Sequence, residues 1–164
     1  MITKKIKEKC AKIKLVITDV DGVLTDGGMY YTEKGETMKK FNTRDGMAIQ
    51  LLRNNIKTIL MTQENSKIVL VRAKKIKADK AFIGIKNKET LLPLISKKYS
   101  VSLDEIAYIG DDYNDLNIIK KVGLSATPNN GIPEIKMNVD YVCEKNGGDG
   151  AFREFAELII KYQS

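Results

Sequence analysis

The sequence predicts an α/β protein with a doubly wound, Rossmann-like parallel sheet, helices on both faces and a small β-hairpin. Short apolar, β-branched runs alternate along the chain with segments of helical periodicity, which is the pattern of a parallel sheet. Polar residues directly follow several of these runs, as they do where the strands of an open α/β sheet end. We expect a single domain over residues 1–164, because a chain of this length can bury a core.

The first predicted strand is the apolar run that begins at Leu15 and leads into Asp19 and Asp21. Because side chains alternate along an extended chain, both carboxylates point the same way. Two like charges this close are costly unless a cation lies between them or one of them holds a proton. A surface turn would explain an Asp-Gly pair at Asp21 and Gly22, but it does not explain Asp19 inside the apolar run.

A β-hairpin flap is predicted next, over residues 23–42, where two turn signals flank β-prone segments. Its exposed aromatic residues indicate packing against another surface, such as a second subunit. The remaining elements alternate. The predicted helices cover residues 43–54, 65–77, 88–99, 115–122 and 152–162, and the predicted strands cover residues 56–62, 80–85, 106–110, 123–127 and 141–143.

The composition limits the chemistry of the chain. There is no histidine, which excludes imidazole acid–base catalysis, histidine-ligated zinc and Ser-His-Asp triads. The two cysteines, Cys10 and Cys143, form neither a disulfide framework nor a metal set, and they indicate a reducing, cytoplasmic setting. The lysine-rich residues 1–14 lack the features of a signal peptide, and we expect a short amphipathic segment that leads into the first strand.

The net charge of +7 is carried by lysines that are spread along the chain with few aromatic residues between them. This distribution indicates solvated helix faces rather than a nucleic-acid surface, and it favours an anionic small substrate. No apolar run reaches the length of a membrane span. We therefore expect neither nucleic acid nor a membrane as a partner.

Polar residues also follow the second, third and fourth predicted strands. These residues are Thr62, Lys88, Asp111, Asp112 and Asp115. Each has an ordinary explanation when taken alone: a helix cap, a solvated lysine or a surface turn. Because the carboxyl ends of parallel strands meet on one edge, we expect these side chains to join the two carboxylates of the first strand. Oxygen ligands without histidine or cysteine indicate a hard cation, Mg²⁺ above all.

The order of these residues resembles the four motifs of the haloacid dehalogenase superfamily, and the resemblance covers nearly the whole chain. It implies that Asp19 is a nucleophile that forms an aspartyl-phosphate. It implies that Asp21 protonates the leaving alcohol and later activates water. Thr62 and Lys88 would hold the phosphoryl oxygens.

The same resemblance implies a Mg²⁺ site. Asp111 would bind the ion together with Asp19 and the backbone carbonyl of Asp21. Asp112 and Asp115 would orient the site. A carboxylate can attack a phosphate only when positive charge cancels the repulsion between the two anions.

Neither gap between the motifs has room for the cap domain that this superfamily usually inserts. The chain resembles the capless branch that acts on 2-keto-3-deoxy sugar acid phosphates, with further matches at residues 19–27, 40–46 and 147–154. Enzymes of this branch are tetramers whose hairpins form a barrel, which implies a homotetramer here. The implied substrate-binding residues are Arg44, Asp45, Glu64 and Arg72. Arg72 would reach the substrate of an adjacent subunit, although an exposed helical arginine is the simpler alternative.

The resemblance implies a role in sialic acid or octulosonate (KDO) biosynthesis. Octulosonate phosphatases typically carry basic residues where this chain has Glu64 and Asp149, and these acidic residues favour a nonulosonate 9-phosphate of the N-acylneuraminate or KDN type. The alternative substrate is 3-deoxy-D-manno-octulosonate 8-phosphate. Gln63 departs from the pattern of both groups.

Two other functional classes stay open. A signalling receiver domain also combines a phosphoacceptor aspartate with an acidic pair, threonine and lysine on a parallel sheet. Its acidic pair precedes the phosphoacceptor in the chain, whereas Asp19 precedes Asp111 here. A non-catalytic accessory subunit, for instance of a nucleotide-sugar synthase, is the second alternative.

Overall fold

Short strands alternate with helices along the chain. The computed structural model describes residues 2–163 of the protein. Within these residues the strands are β1 (Leu15–Thr18), β2 (Tyr30–Thr32), β3 (Gly35–Met38), β4 (Lys57–Met61), β5 (Lys80–Phe82), β6 (Ile106–Ile109), β7 (Leu124–Thr127) and β8 (Tyr141–Val142). The α-helices are α1 (Lys4–Lys12), α2 (Thr43–Leu52), α3 (Lys67–Ile76), α4 (Leu92–Tyr99), α5 (Leu116–Ile119), α6 (Pro133–Asn138) and α7 (Ala151–Lys161).

Six of the strands form one sheet in the order β5-β4-β1-β6-β7-β8. Every neighbouring pair in this sheet is parallel. The central strand β1 ends beside both of its neighbours, because Thr18 is in register with Leu60 on β4 and with Ile109 on β6. The loops after these three strands therefore leave the sheet at the same edge.

Two apolar layers cover the two faces of the sheet. On one face, α1, α2, α3 and α7 pack against strand residues that include Val16 and Leu60. On the other face, α4, α5 and α6 pack against Ile17 and Tyr108. Val16 and Ile17 point to opposite faces and are both fully buried, as expected for a parallel sheet covered on both sides. The predicted doubly wound α/β fold is confirmed.

The hairpin is present but shorter than the predicted flap. β2 and β3 pair antiparallel outside the main sheet. Val23 and Leu24, which the prediction placed in the flap, are buried in the core as part of the loop after β1. Tyr31 and Met38 leave the hairpin with an apolar surface, since they are 60% and 59% exposed. Residues 2–163 contain no further sheet that could form a cap domain.

Three helical segments differ from the prediction. The segment 88–99 divides into a 3-10 turn (Lys88–Leu91) and α4, because Pro93 has no amide hydrogen and favours the first turn of an α-helix. The segment 115–122 is reduced to α5, which follows a 3-10 turn (Tyr113–Asp115). The sequence prediction omits α6, whose six residues are too few to show a helical period.

The N-terminal helix α1 corresponds to the predicted amphipathic segment, and Met1 lies outside the described residues. Cys10 is its buried residue, and the lysines of this helix lie on its other faces. Cys10 and Cys143 are both buried and form no disulfide with each other, and the reducing, cytoplasmic setting stays a prediction. Among the described residues, no helix combines the length and the apolar character needed to cross a membrane.

Candidate active site

The loop after β1 carries Asp19 and Asp21 out of the sheet. The amide of Asp19 donates to the carbonyl of Ile109 on the neighbouring strand, and the Asp19 side chain is nearly buried. The carbonyl of Val20 then accepts hydrogen bonds from the amides of residues 23–25, so the chain turns tightly. This turn places Asp19 at the base of a cavity and Asp21 at its wall.

The cavity has a volume of about 430 Å³ and opens at the carboxyl edge of the sheet. It brings together side chains that follow β1, β4 and β6, as the sequence predicts. The lining residues are Asp19, Asp21, Gly22, Gly27, Thr62, Gln63, Glu64, Asp111, Asp112 and Asn114. The charged lining residues are all carboxylates, so the cavity is suited to a cation that in turn attracts an anionic group.

Lys88 lies beneath the cavity, between two carboxylates. Its ammonium nitrogen is 2.8 Å from Asp19 Oδ1 and 2.6 Å from Asp115 Oδ1, and its side chain is fully buried. Burial by itself lowers the pKa of Lys88, but the two carboxylates outweigh this effect and raise it, so Lys88 stays protonated. Burial raises the pKa of Asp19 well above its ordinary value, Asp115 raises it further, and Lys88 opposes both. Lys88 thus favours the ionised form of Asp19.

Tyr108 completes this buried cluster and is missing from the sequence-based site. Its hydroxyl donates to Asp115 Oδ1 and accepts a hydrogen bond of 3.2 Å from Lys88. In the sequence it is one more apolar residue of a buried strand. A tyrosine inside a strand that is buried on both faces needs a hydrogen-bond partner for its hydroxyl, and this is the signal that could have found it.

Asp115 organises the loop after β6. Its Oδ2 accepts the backbone amides of Asp111 at 2.8 Å and Asp112 at 3.3 Å. A Cβ at position 110 would lie 2.4 Å from the Asp115 carboxyl carbon, so this close approach requires Gly110. The Asp112 carboxylate accepts the amide of Tyr113 at 2.7 Å and thereby caps the 3-10 turn that follows. Asp112 therefore stabilises the loop at the rim of the cavity.

The acidic cluster fits a divalent cation. Asp19, Asp111 and Asp115 each place a carboxylate oxygen within 4.8 Å of the others. Both oxygens of Asp115 already accept hydrogen bonds from protein donors, so Asp19 and Asp111 are the carboxylates left for an ion. Burial, followed by the charges of Asp115 and Asp112, raises the pKa of Asp111 to about 7. A bound cation would offset this repulsion, and an oxygen-only ligand set suits Mg²⁺.

Gly22 lets the Asp111 carboxylate approach the loop after β1. Its φ is +87°, and a Cβ there would lie 2.0 Å from Asp111 Oδ2. A Cβ on Gly147 would lie 1.7 Å from the carbonyl oxygen of Gly22, and the amide of Gly148 donates to the carbonyl of Val23 at 2.9 Å. The C-terminal glycine segment thus packs against the loop that carries Asp19 and Asp21.

Both carboxylate oxygens of Asp21 contact donors. Oδ2 accepts the hydroxyl of Thr62 at 3.2 Å, and Oδ1 lies 2.5 Å from the ammonium of Lys39. Lys39 also pairs with Glu36 of the hairpin. Burial lowers the pKa of Lys39, but its hydrogen bonds to Asp21 and Glu36 outweigh this effect and raise it. The sequence analysis missed Lys39, because it is one lysine among many in a charged segment.

Comparison with known proteins agrees with this geometry. A model of the haloacid dehalogenase-like hydrolases matches residues 2–155 of the chain. The protein belongs to this family. The sequence predicted a phosphoric monoester hydrolase. This enzyme class is confirmed by the family and by the similar phosphatases described next.

The relatives and solved structures that are similar to this chain include octulosonate phosphatases. The 3-deoxy-D-manno-octulosonate 8-phosphate phosphatase of Haemophilus influenzae is 37% identical over 159 residues, which cover 96% of this chain and 88% of that protein. A cobalt-bound structure of the octulosonate phosphatase from Haemophilus influenzae has a TM-score of 0.91 at 38% identity and covers 94% and 91% of the two chains. The Moraxella catarrhalis enzyme, solved with magnesium, phosphate and a KDO molecule, has a TM-score of 0.94 at 37% identity, covering 99% and 94%. The predicted divalent metal is in agreement with these two structures and with the acidic cluster.

The residues expected to contact substrate lie in different parts of the structure. Glu64 lines the cavity above Asp19. Arg44 and Asp149 instead line a separate groove of about 420 Å³ near the start of α7. Asp149 therefore does not line the Asp19 cavity of its own chain.

Asp45 and Arg72 hold the start of α2 in place. Asp45 is 2% exposed, and its carboxylate accepts the amide of Arg153 at 2.9 Å. Burial raises the pKa of Asp45 to about 6, although the amides of Arg153 and Gly150 and the charge of Arg72 lower it. Arg72 donates to the carbonyl of Asn42 at 3.1 Å. Within one chain, both residues contact protein groups, and a role toward substrate stays a prediction.

Proposed function

We propose that this protein is a Mg²⁺-dependent phosphatase that removes the terminal phosphate of a 2-keto-3-deoxy sugar acid, 3-deoxy-D-manno-octulosonate 8-phosphate. One observation carries the proposal. The Asp19 carboxylate lies 2.8 Å from the buried Lys88 ammonium, at the base of an acidic cavity, in a chain of the haloacid dehalogenase-like family. A carboxylate beside a fixed cation is a nucleophile suited to an anionic ester.

The first step transfers the phosphoryl group to the protein. A carboxylate oxygen of Asp19 attacks phosphorus, and the bond between phosphorus and the sugar oxygen breaks. Asp21 donates a proton to the departing sugar oxygen, which leaves as an alcohol. The Thr62 hydroxyl, which donates to Asp21 at 3.2 Å in the free protein, would turn to a phosphoryl oxygen. Lys88, buried with its ammonium on Asp19, Asp115 and Tyr108, would act on the phosphoryl group through Asp19.

The second step releases phosphate. A water oxygen attacks phosphorus, Asp21 takes the proton of that water, and the Asp19 carboxylate is the leaving group. Asp21 thus returns to its starting protonation state. Asp115 keeps Lys88 and the Asp111 amide in place through both steps by its hydrogen bonds.

The metal ion would be held by Asp19 and Asp111, with the backbone carbonyl of Asp21 as the third protein ligand. Bound Mg²⁺ supplies positive charge that offsets the repulsion between the nucleophile and the phosphate dianion. The position of the Asp111 carboxylate against Gly22 supports this assignment, since it brings that carboxylate next to the backbone of the first loop.

The eight-carbon substrate replaces the nine-carbon preference of the sequence analysis. The relatives described above are octulosonate phosphatases by name, and none of them supports a nonulosonate substrate. The acidic residues behind the nine-carbon preference were Glu64 and Asp149. Because Asp149 lies in the separate groove, only Glu64 is placed to contact a substrate bound over Asp19 in the same chain.

We further propose a homotetramer in which the hairpins of the subunits pack together. Four large apolar side chains of the hairpin region are exposed in the single chain. They are Met29, Tyr30, Tyr31 and Met38. An exposed apolar group of this kind marks an interaction surface. Light scattering of the purified protein should give a tetramer, and Tyr31→Lys should shift it toward smaller species, whereas a wild-type monomer would contradict the assembly.

Phosphate release from 3-deoxy-D-manno-octulosonate 8-phosphate tests the proposed function. We expect turnover with Mg²⁺, loss of turnover on chelation, and a loss of at least about 10³-fold in Asp19→Asn, because an amide is not a nucleophile here. Asp104→Asn, at an exposed aspartate before β6, is the matched control and should keep full activity. Turnover that survives both chelation and Asp19→Asn would overturn the proposal.

A further inference from the structure

The side chain of Lys39 is almost entirely buried, unlike that of the lysine that follows it. The Lys39 side chain is 1% exposed, whereas the Lys40 side chain is 63% exposed and pairs with Asp26 at the surface. An ammonium group is excluded from water at a high cost unless carboxylates compensate it. The burial of Lys39 therefore requires carboxylate partners beside its ammonium group.

Two carboxylates compensate Lys39, and they lie in different parts of the fold. Its nitrogen is 2.5 Å from Asp21 Oδ1 and 2.5 Å from Glu36 Oε1 on β3. Glu36 also accepts a hydrogen bond from the hydroxyl of Ser66, the residue that precedes α3. A continuous series of contacts thus runs from the start of α3, through the hairpin, to the loop after β1.

Asp21 is held from a second side by Thr62. The Thr62 hydroxyl donates to Oδ2 at 3.2 Å, and Thr62 lines the cavity. In the free protein each oxygen of the Asp21 carboxylate has a donor, and Lys39 remains in contact with Oδ1 when the Thr62 hydroxyl turns to a phosphoryl oxygen. The Oδ2 edge of Asp21 therefore stays on the side of the cavity, where the leaving oxygen of a substrate would lie.

We propose that Lys39 is a positioning residue that holds the Asp21 carboxyl group in the orientation in which it exchanges a proton with the substrate. The proposal rests on the proposed function of Asp21. In the first step the departing oxygen takes a proton from Asp21, and in the second step Asp21 takes a proton from the attacking water. Lys39 touches no reacting atom in either step and acts through Asp21.

Two aryl phosphates separate this role from a general structural one. Phenolate is a poor leaving group and needs the proton of Asp21, whereas p-nitrophenolate leaves readily as an anion. In Lys39→Met we expect kcat/KM, which reports the step in which the leaving group departs, to fall by about tenfold or more for phenyl phosphate and by less than about threefold for p-nitrophenyl phosphate. Lys39→Arg, which keeps the cation, should restore most of the phenyl phosphate turnover. Equal losses with both esters would overturn the proposal.

A double-mutant cycle provides the second test. If Lys39 acts through Asp21, Lys39→Met should cause no further loss of phenyl phosphate turnover in an Asp21→Asn background. Losses that multiply in the double variant would overturn the proposal. Lys40→Met is the matched control, since it removes a neighbouring lysine with no contact to Asp21, and it should keep the wild-type ratio of turnover for the two esters.

Folding is measured alongside turnover. Loss of the Lys39 ammonium leaves Asp21 and Glu36 uncompensated, so thermal melting of Lys39→Met is recorded first. If that variant does not fold, the double variant Lys39→Met/Glu36→Gln is used instead. It removes the charge of Glu36 and leaves Asp21 as the one uncompensated carboxylate. A wild-type protein that cleaves the aryl esters but no sugar acid phosphate would overturn the proposed substrate and leave the Lys39 test intact. A wild-type protein inert toward every ester would overturn both proposals.

Discussion

The ammonium of Lys88 lies 2.8 Å from Asp19 Oδ1, and no part of the Lys88 side chain reaches solvent. Asp115 and Tyr108 contact the same ammonium at 2.6 Å and 3.2 Å. The charge that favours ionised Asp19 is thus fixed in the core before any substrate binds, and no solvent reorganisation is needed to bring it into place. Because Asp19 and Asp115 are buried beside Lys88, the stability of the folded protein also depends on the Lys88 charge.

Replacing Lys88 by methionine should abolish turnover and destabilise the fold. The change leaves Asp19 and Asp115 as buried carboxylates without a cation, which costs about 3–5 kcal/mol. Urea unfolding at neutral pH measures the loss. Lys86→Met, at an exposed lysine of the same segment, is the control and should change stability by less than about 0.5 kcal/mol. A Lys88→Met protein as stable as the wild type would show that the buried ion pairs are not needed.

Replacing Gly22 by alanine should remove metal binding as well as activity. The new Cβ would lie 2.0 Å from Asp111 Oδ2 and would displace that carboxylate, at a φ of +87° that already disfavours alanine. Calorimetric titration with Mg²⁺ should detect no binding. Gly35→Ala carries a comparable backbone penalty at φ +104° with no atom within 4 Å, so it should bind Mg²⁺ normally. Equal binding by both variants would contradict the assignment of Asp111.

Removing the hydroxyl of Tyr108 should have a smaller effect. In Tyr108→Phe the Asp115 carboxylate loses one donor but keeps Lys88, so we expect a loss of stability of about 1–3 kcal/mol. Turnover should fall by no more than about tenfold, because the contact between Lys88 and Asp19 remains. Tyr113→Phe, at a residue that is 67% exposed, should leave both quantities unchanged. A loss as large as that of Lys88→Met would mean that Tyr108 itself takes part in the reaction.

The stability of Asp45→Asn relative to the wild type should depend on pH. The folded-state pKa of Asp45 is about 6 and lies above its ordinary value of 3.8, so the folded protein binds this proton more tightly than the unfolded chain. The stability from this proton is complete below about pH 4 and is lost as the pH rises through 6. The amide that replaces the carboxyl group in the variant does not titrate, so between pH 4 and pH 7 the unfolding free energy of the variant should gain up to about 3 kcal/mol on that of the wild type.

Urea unfolding of both proteins across this pH range measures the difference. Asp104→Asn, which removes one negative charge at an exposed position, controls for the change in net charge. A constant difference between Asp45→Asn and the wild type would mean that Asp45 is already ionised at low pH in the folded protein.

The residues at the carboxyl edge of the sheet could be predicted from the sequence, because each of them is identified by its immediate neighbours in the chain. A buried run followed by a polar residue marks a strand end, and parallel strands put such ends together. Asp19, Asp21, Thr62 and Asp111 were found in this way, and the structure places all four around one cavity.

The contacts that hold those residues in place were not predictable by the same route. Tyr108 is apolar by pattern, and its role depends on the residues beneath β6. Lys39 is local to the hairpin, but its partner Asp21 is 18 residues away in the chain. The C-terminal segment at Gly147 lies against Gly22, and glycine spacing alone does not reveal what lies beside it.

The nine-carbon preference of the sequence-based reasoning is not supported by the relatives of this chain. It treated Glu64 and Asp149 as two marks of one binding site. The structure separates them, with Glu64 at the Asp19 cavity and Asp149 in the groove beside Arg44. Sequence spacing could not show this separation, because it depends on how α7 packs against α2.

The most direct test of the proposed function is the ratio of kcat/KM for 3-deoxy-D-manno-octulosonate 8-phosphate to that for a nonulosonate 9-phosphate, measured with Mg²⁺ on one preparation. We predict a ratio of at least about ten in favour of the eight-carbon ester, which corresponds to about 1.4 kcal/mol of transition-state binding. A ratio below one would contradict the assigned substrate, and no release from either ester would contradict a sugar acid phosphatase altogether.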